Sequence, residues 1–253
     1  WSGSDDNSGI NNYEYSLGIS KGGTETIAWT STSSTSISLS DLTLTEATIY
    51  YVSVRATDKA GNVSTVMSGD GITIDLSSPI AGTVNDGLGT DIAYTSALNS
   101  LSGNWSGFSD PVSGLSDYQY AIGTTINGTE VKGWVSNGLD TSFTYNGYEL
   151  INTQVYYISV KAIDKVGNVS DTVSSNGVIS DQEKPMTGLV VDGKNIDAEF
   201  TNTDTIYANW SGFADSLSGI SRYEYALGTS PGSTDMITWT DNGNLNKASL
   251  SIL

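Results

Sequence analysis

A period-two alternation of apolar and polar residues runs through most of this chain. Leu101, Gly103 and Trp105 alternate with polar neighbours, and Ile206, Ala208 and Trp210 do the same. Tyr118, Tyr120 and Ile122 form a second alternating run, and Tyr156, Ile158, Val160 and Ala162 a longer one. Alternation of this kind puts one face of a segment in a core and the other in water, which predicts strands. Phe143 and Tyr145 suit a further strand. The segment from Asp164 to Asn168 is a turn, with a strand from Val169 onward. No stretch has a helical period of useful length.

The pattern repeats. Trp105-Ser106-Gly107 recurs as Trp1-Ser2-Gly3 and Trp210-Ser211-Gly212. Tyr13, Tyr118 and Tyr223 follow at intervals of 105 residues, as do the second tryptophans Trp29, Trp134 and Trp239. Tyr50 to Ala56 pairs with Tyr156 to Ala162, and Asp58 to Ser64 with Asp164 to Ser170, both at an offset of 106. This period is too long for a solenoid unit and matches one β-sandwich domain. Pro79 and Pro185 each stand four residues after an aspartate, Asp75 and Asp181, and mark equivalent starts. The expected architecture is therefore all-β: tandem antiparallel β-sandwiches with about seven strands per module. Residues 79–184 form a complete module, 1–78 a module lacking its first strand or strands, and 185–253 the N-terminal part of a third. Half a sandwich exposes core and sheet edges, so the stretch is expected to belong to a longer chain.

Composition narrows the chemistry. Among 253 residues there is no cysteine and no histidine. Disulfides, thiolate metal sites and Ser-His-Asp or Cys-His catalysis are thereby excluded from this stretch. Ten basic against 28 acidic residues give a net charge of −18. Such a surface repels nucleic acid and anionic lipid and tolerates cations or basic partners. No apolar run is long enough for a membrane span. Apolar residues at 37% are enough for ordinary cores but not for unusually large ones.

Two resemblances follow from particular residues. Leu44 to Tyr50, followed by Val52, Val54 and Ala56, resembles the corner of fibronectin type III domains in which a tyrosine hydroxyl bonds backbone a few residues upstream. Tyr50 and Tyr156 hold that tyrosine's place, and Trp105 holds the family's core tryptophan. The proline usual near the corner is replaced by Glu46 and Asn152. The whole repeat also resembles tandem fibronectin type III-like or bacterial Ig-like modules of giant bacterial cell-surface adhesins, gliding-motility adhesins among them. The pieces that carry this likeness are Trp-Ser-Gly-Phe, Tyr-Glu-Tyr-Ala-Leu-Gly-Thr, and the double-tyrosine strand ending in Gly-Asn-Val-Ser. The resemblance implies an extracellular, cell-surface, non-catalytic stalk whose partners are neighbouring repeats of the same chain. Host, substrate-surface or glycan ligands are the further partners it allows.

The candidate sites are few. Asp110 and Asp164 suit turn caps, because a short carboxylate can accept bonds from backbone amides two residues on. In this fold, however, their loops lie at the pole that faces the preceding module. Asp75, Asp110 and Asp164 are therefore expected to converge with Glu46 nearby, a carboxylate set suited to calcium. Asp181, Glu183 and Asp215 offer the same at the next junction. Most tyrosines and tryptophans belong to the core, with Trp134 and Trp239 the candidates for an exposed carbohydrate platform. Thr172, Thr205 and Ser216 follow aspartate and precede an apolar residue, a context for bacterial O-glycosylation. Besides a stalk, a glycan- or protein-binding module and an accessory region of a secreted hydrolase are compatible with these features.

Overall fold

The structure is a computed structural model that describes residues 1–194 and 196–251. Its regular elements are all strands. The first five, β1 (Ile10–Gly18), β2 (Ile27–Thr32), β3 (Ile49–Asp58), β4 (Met67–Ser68) and β5 (Ile72–Thr73), form one sheet in the order β2-β1-β3-β4, with β5 also paired to β3.

The central stretch folds into two facing sheets. Its strands are β6 (Thr83–Asp86), β7 (Tyr94–Thr95), β8 (Ser100–Ser106), β9 (Leu115–Gly123), β10 (Lys132–Ser136), β11 (Ser142–Asn146), β12 (Val155–Asp164), β13 (Val173–Ser174) and β14 (Val178–Ser180). One sheet has the order β11-β8-β6; the other runs β10-β9-β12-β14-β7, with β13 also on β12. A three-stranded sheet facing a larger antiparallel one is the strand arrangement of a fibronectin type III-like sandwich. The last strands, β15 (Leu189–Asp192), β16 (Thr205–Ser211), β17 (Glu224–Leu227), β18 (Ile237–Asp241) and β19 (Lys247–Ser251), form the sheet β15-β16-β19 and the hairpin β17-β18.

The inward faces are those the alternation marks. Trp105, Tyr118, Tyr120, Phe143, Tyr156, Ile158 and Val160 belong to one buried cluster, which lies wholly between Val84 and Val178. Trp105 is 2% exposed and stands edge-on to Tyr118, with ring centroids 5.6 Å apart. Tyr120 stacks on Phe143 across the two sheets at 3.8 Å. Gly103 is required by this packing: a Cβ there would lie 2.6 Å from Ile158 Cδ1.

Two features depart from a simple seven-strand reading. The last strand is broken into β13 and β14, and β7 adds a parallel pair at the edge, Ile179 against Tyr94. The tyrosine corner has a definite polarity: Ile151 N donates to Tyr156 Oη at 2.9 Å, and Thr45 N donates to Tyr50 Oη at 3.1 Å. In the last stretch, a cleft between its two sheets is lined by Ile206, Trp210, Tyr225, Leu227, Trp239 and Leu250. The β9–β12 pairing that closes the central sandwich has no counterpart on β17, which pairs only β18 among the described residues.

Candidate cation site at the first junction

Three connections build the site. The turn after β12 begins at Asp164, whose Oδ1 accepts Val166 N, Gly167 N and Asn168 N at 2.9, 2.7 and 2.8 Å. Its Oδ2 accepts Asn168 Nδ2 at 2.7 Å. Gly167 makes this tight wrap possible with a φ of +99°, which costs a glycine nothing. The loop between β8 and β9 repeats the device. Asp110 Oδ1 accepts Val112 N, Ser113 N and Gly114 N at 3.1, 2.8 and 2.9 Å. The two loops are stitched together where Lys165 N donates to Gly114 O at 3.0 Å and Ser116 Oγ to Asp164 O at 2.6 Å.

The third carboxylate comes from the segment after β5. Asp75 Oδ1 takes only long bonds, at 3.3 Å, from Ser77 N and Ser77 Oγ. Asp75, Asp110 and Asp164 each present one oxygen, and these three oxygens lie within 4.8 Å of one another. Asp164 is 1% exposed. Asp75 Oδ2 and Asp110 Oδ2 are shielded from solvent and have no hydrogen-bond partner. No lysine or arginine pairs with any of the three; among the described residues the ion pairs are Arg55–Glu14 and Arg222–Glu224. Burial disfavours the charge on Asp164, but the bonds from the Asn168 side chain and the three turn amides outweigh it. The carboxyl is held below the ordinary aspartate range. The arrangement is a shielded set of anionic oxygens with no ion-pair partner: Asp75 and Asp110 each use one oxygen on a turn and leave the other open, while Asp164 spends both on its turn. A hard divalent cation requires such a donor set.

Glu46 stands beside this set in another role. Its carboxylate accepts Leu76 N at 2.7 Å and Ser77 Oγ at 2.9 Å, pinning the linker to the tyrosine corner. Asn152 performs the equivalent task later, with Oδ1 accepting Gln182 N at 2.9 Å and Nδ2 donating to Glu183 Oε1 at 3.1 Å. The usual corner proline carries no donor or acceptor for this purpose, so its replacement by Glu46 and Asn152 has a physical use.

At the second junction, Asp215 caps its loop as Asp110 does, through Leu217, Ser218 and Gly219 amides, and these bonds, that from Ser218 first, hold its pKa below the ordinary aspartate range. Asp181 is buried and accepts Glu183 N. No three-carboxylate group comparable to the first forms around Asp181, Glu183 and Asp215 among the described residues. The repeat position equivalent to Asp164 falls past residue 253.

The remaining candidates are scattered. Ser216 is exposed in the loop after β16, Thr172 is half-buried next to β13, and Thr205 is half-buried at the start of β16, paired with Ser251. Trp134 projects from β10 with Lys161 Nζ 4.4 Å from its ring centroid, as Arg55 lies 4.5 Å from Trp29. A cation thus occupies one face of each indole. Trp239 is 66% exposed. The alternation gave no hint of the buried carboxylate Asp86 on β6. Its signal was the repeat of Asp86-Gly87 and Asp91 as Asp192-Gly193 and Asp197, each at an offset of 106.

Strand order defines the central stretch as a fibronectin type III-like β-sandwich, with an acidic contact at its junction with the preceding sheet. No protein-family model matches the chain. It is 29% identical over 250 residues to Exoglucanase B of Cellulomonas fimi, a match covering 96% of this chain. The chain spans only 21% of that relative's length. Among solved structures, the chicken CNTN1 FN1–FN3 domains align over 98% of this chain and 81% of that one, at 14% identity and a TM-score of 0.38. The fold class given above rests on strand order and register.

Proposed function

We propose that this stretch is a non-catalytic spacer of a secreted or cell-surface bacterial protein, and that calcium stiffens its first module junction. The observation that carries this reading is the convergence of Asp75 from one side with Asp110 and Asp164 from the other, with two shielded oxygens unpartnered. Three like charges at this range repel. A bound cation turns that repulsion into a shared attraction and fixes the angle between sandwiches. Calcium suits the site better than magnesium, because flexible carboxylate loops tolerate its six to eight oxygen ligands. Backbone carbonyls and water would complete the shell.

The spacer role fits either of two proteins. In a surface adhesin the array is a stalk that holds a distal binding region away from the cell. In a secreted hydrolase it is an accessory region, a reading favoured by the match along 96% of this chain to part of Exoglucanase B.

Calorimetric titration of calcium into the chelator-treated chain tests the junction. The expected result is saturable binding with a higher Tm, since a ligand that binds only the folded state stabilises it by about 2.7 kcal/mol at a hundred times its Kd. Asp110→Asn should remove both effects. No heat of binding, with a Tm indifferent to calcium, would leave the aspartates as turn caps and the spacer passive.

A further inference from the structure

A further group of carboxylates, the pair Asp86 and Asp91, lies within the central sandwich and away from the junction. Asp86, the last residue of β6, is fully buried, and its Oδ1 has no hydrogen-bond partner. Its Oδ2 accepts Gly177 N at 3.1 Å, and its own N donates to Asp91 Oδ1 at 2.9 Å. Asp91 Oδ2 in turn accepts Asn176 Nδ2 at 2.8 Å. β6 belongs to the three-stranded sheet, whereas Asn176 and Gly177 connect β13 to β14 in the other. The two carboxylates therefore fasten one sheet to the other at the margin of the core.

We infer that the Asp86–Asp91 pair is a proton-operated latch between the two sheets, closed when Asp86 carries a proton and weakened when both carboxylates are ionised. An ionised Asp86 has only the Gly177 amide and the nearby Ser175 hydroxyl to offset the burial of its charge, and Oδ1 has no hydrogen-bond partner, which is expensive in a medium that solvates charge poorly. A proton on Asp86 removes the charge and its repulsion with Asp91, while Oδ2 can still accept Gly177 N.

The surroundings supply no compensating cation. β8 places Gly103 opposite Asp86, and neither β8 nor the stretch 173–180 contains an ionisable side chain. On β12, Lys161 lies over Trp134, Asp164 is engaged in its turn, and Tyr156 Oη receives Ile151 N. The Tyr157 ring packs near Gly177. Burial chiefly, with the charge of Asp91, pushes Asp86 up to about 6, against the opposing bonds from Ser175 and Gly177.

The sign follows from linkage. A carboxyl that holds its proton more tightly in the folded state contributes stability fully below the unfolded value, 3.8, and loses it as pH rises through about 6. Asp164, held low, contributes in the opposite sense and only at more acidic pH. The interval from about pH 4.5 to 7 therefore isolates Asp86. The pair also recurs: Asp192 N donates to Asp197 Oδ1 at 3.3 Å.

The test is chemical denaturation of the whole chain in chelator from pH 4.5 to 7.5, alongside 13C carboxyl titration of Asp86 by NMR. The unfolding equilibrium constant of the transition that reports the central sandwich should rise about 25-fold across this range. Asp86→Asn should flatten the profile and exceed the wild type in stability at pH 7.5. Asp91→Asn should move the Asp86 titration to lower pH. An Asp86 carboxyl that titrates near 4, or a wild-type profile that survives in Asp86→Asn, overturns the inference. If Asp86→Asn does not fold, the wild-type titration decides alone. These readouts stand apart from calcium binding, so a passive junction leaves the latch untouched.

Discussion

Tyr156 illustrates how one hydroxyl can be worth more than its size. It is fully buried, and its oxygen is the acceptor for Ile151 N at 2.9 Å. Tyr156→Phe preserves the ring and strands an amide N–H, so it should cost about 1 to 3 kcal/mol. The unpaired group is a donor; polarity of this kind is invisible in sequence, where only the tyrosine and its spacing from the corner are legible. Trp105 acts differently, because its Nε1 has no partner and its contribution comes from packing on Tyr118, Tyr120 and Phe143. Trp105→Ala should cost more, about 3 to 5 kcal/mol, through the cavity left behind. Urea denaturation of both variants checks the order, and equal losses would contradict these roles.

At the scale of elements, the strands with several alternating residues were legible and the short ones were not. β8, β9, β11 and β12 carry Leu101, Trp105, Tyr118, Ile122, Phe143 and Ile158 on one face, and burial of that face leaves no freedom of register. β7, β13 and β14 have two or three residues each, too few for a period to register, and their pairing depends on where longer strands have placed them. Gly103 shows the limit from the other side. It occupies an inward position in an alternating run, yet only the tertiary structure reveals that Ile158 from the facing sheet and Phe143 from the neighbouring strand fill the space a side chain would need. Gly103→Ala should overpack the core and cost about 1 to 3 kcal/mol. Gly133→Ala, on β10 with nothing near its Cβ, should change stability by less than about 0.5 kcal/mol. Thermal or urea melts of the pair distinguish steric from propensity effects.

For the whole molecule, the mechanical question is how freely successive sandwiches bend. Glu46 already ties the linker to the tyrosine corner, so the chain near Leu76 and Ser77 is anchored without any cation. What remains is the acidic contact itself, in a chain of net charge −18. Small-angle scattering should show a longer, narrower distribution of distances in calcium than in chelator, and Asp164→Asn should abolish the difference. Raised monovalent salt in chelator should recover part of it, because screening weakens repulsion among the carboxylates. Scattering curves that superimpose with and without calcium would mean that loop packing alone sets the angle.

The sequence by itself determined the strand character, the 105-to-106-residue repeat, the inward faces and the absence of histidine and cysteine chemistry, because each depends on residue type and on spacing along one chain. It also marked Asp75, Asp110 and Asp164 as candidates, since their loops share a pole in this fold. Tertiary structure alone decided that Asp75 and Asp110 each keep one shielded, unpartnered oxygen while Asp164 spends both on its turn, and that Glu46 clasps the linker. It alone brought Asp86 against Gly177 and Asp91 against Asn176, about 90 residues further along the chain. The division has a physical cause. Periodicity is a local property fixed by backbone geometry, whereas the charge state of a buried carboxylate depends on which distant groups the closed sandwich brings within hydrogen-bond reach.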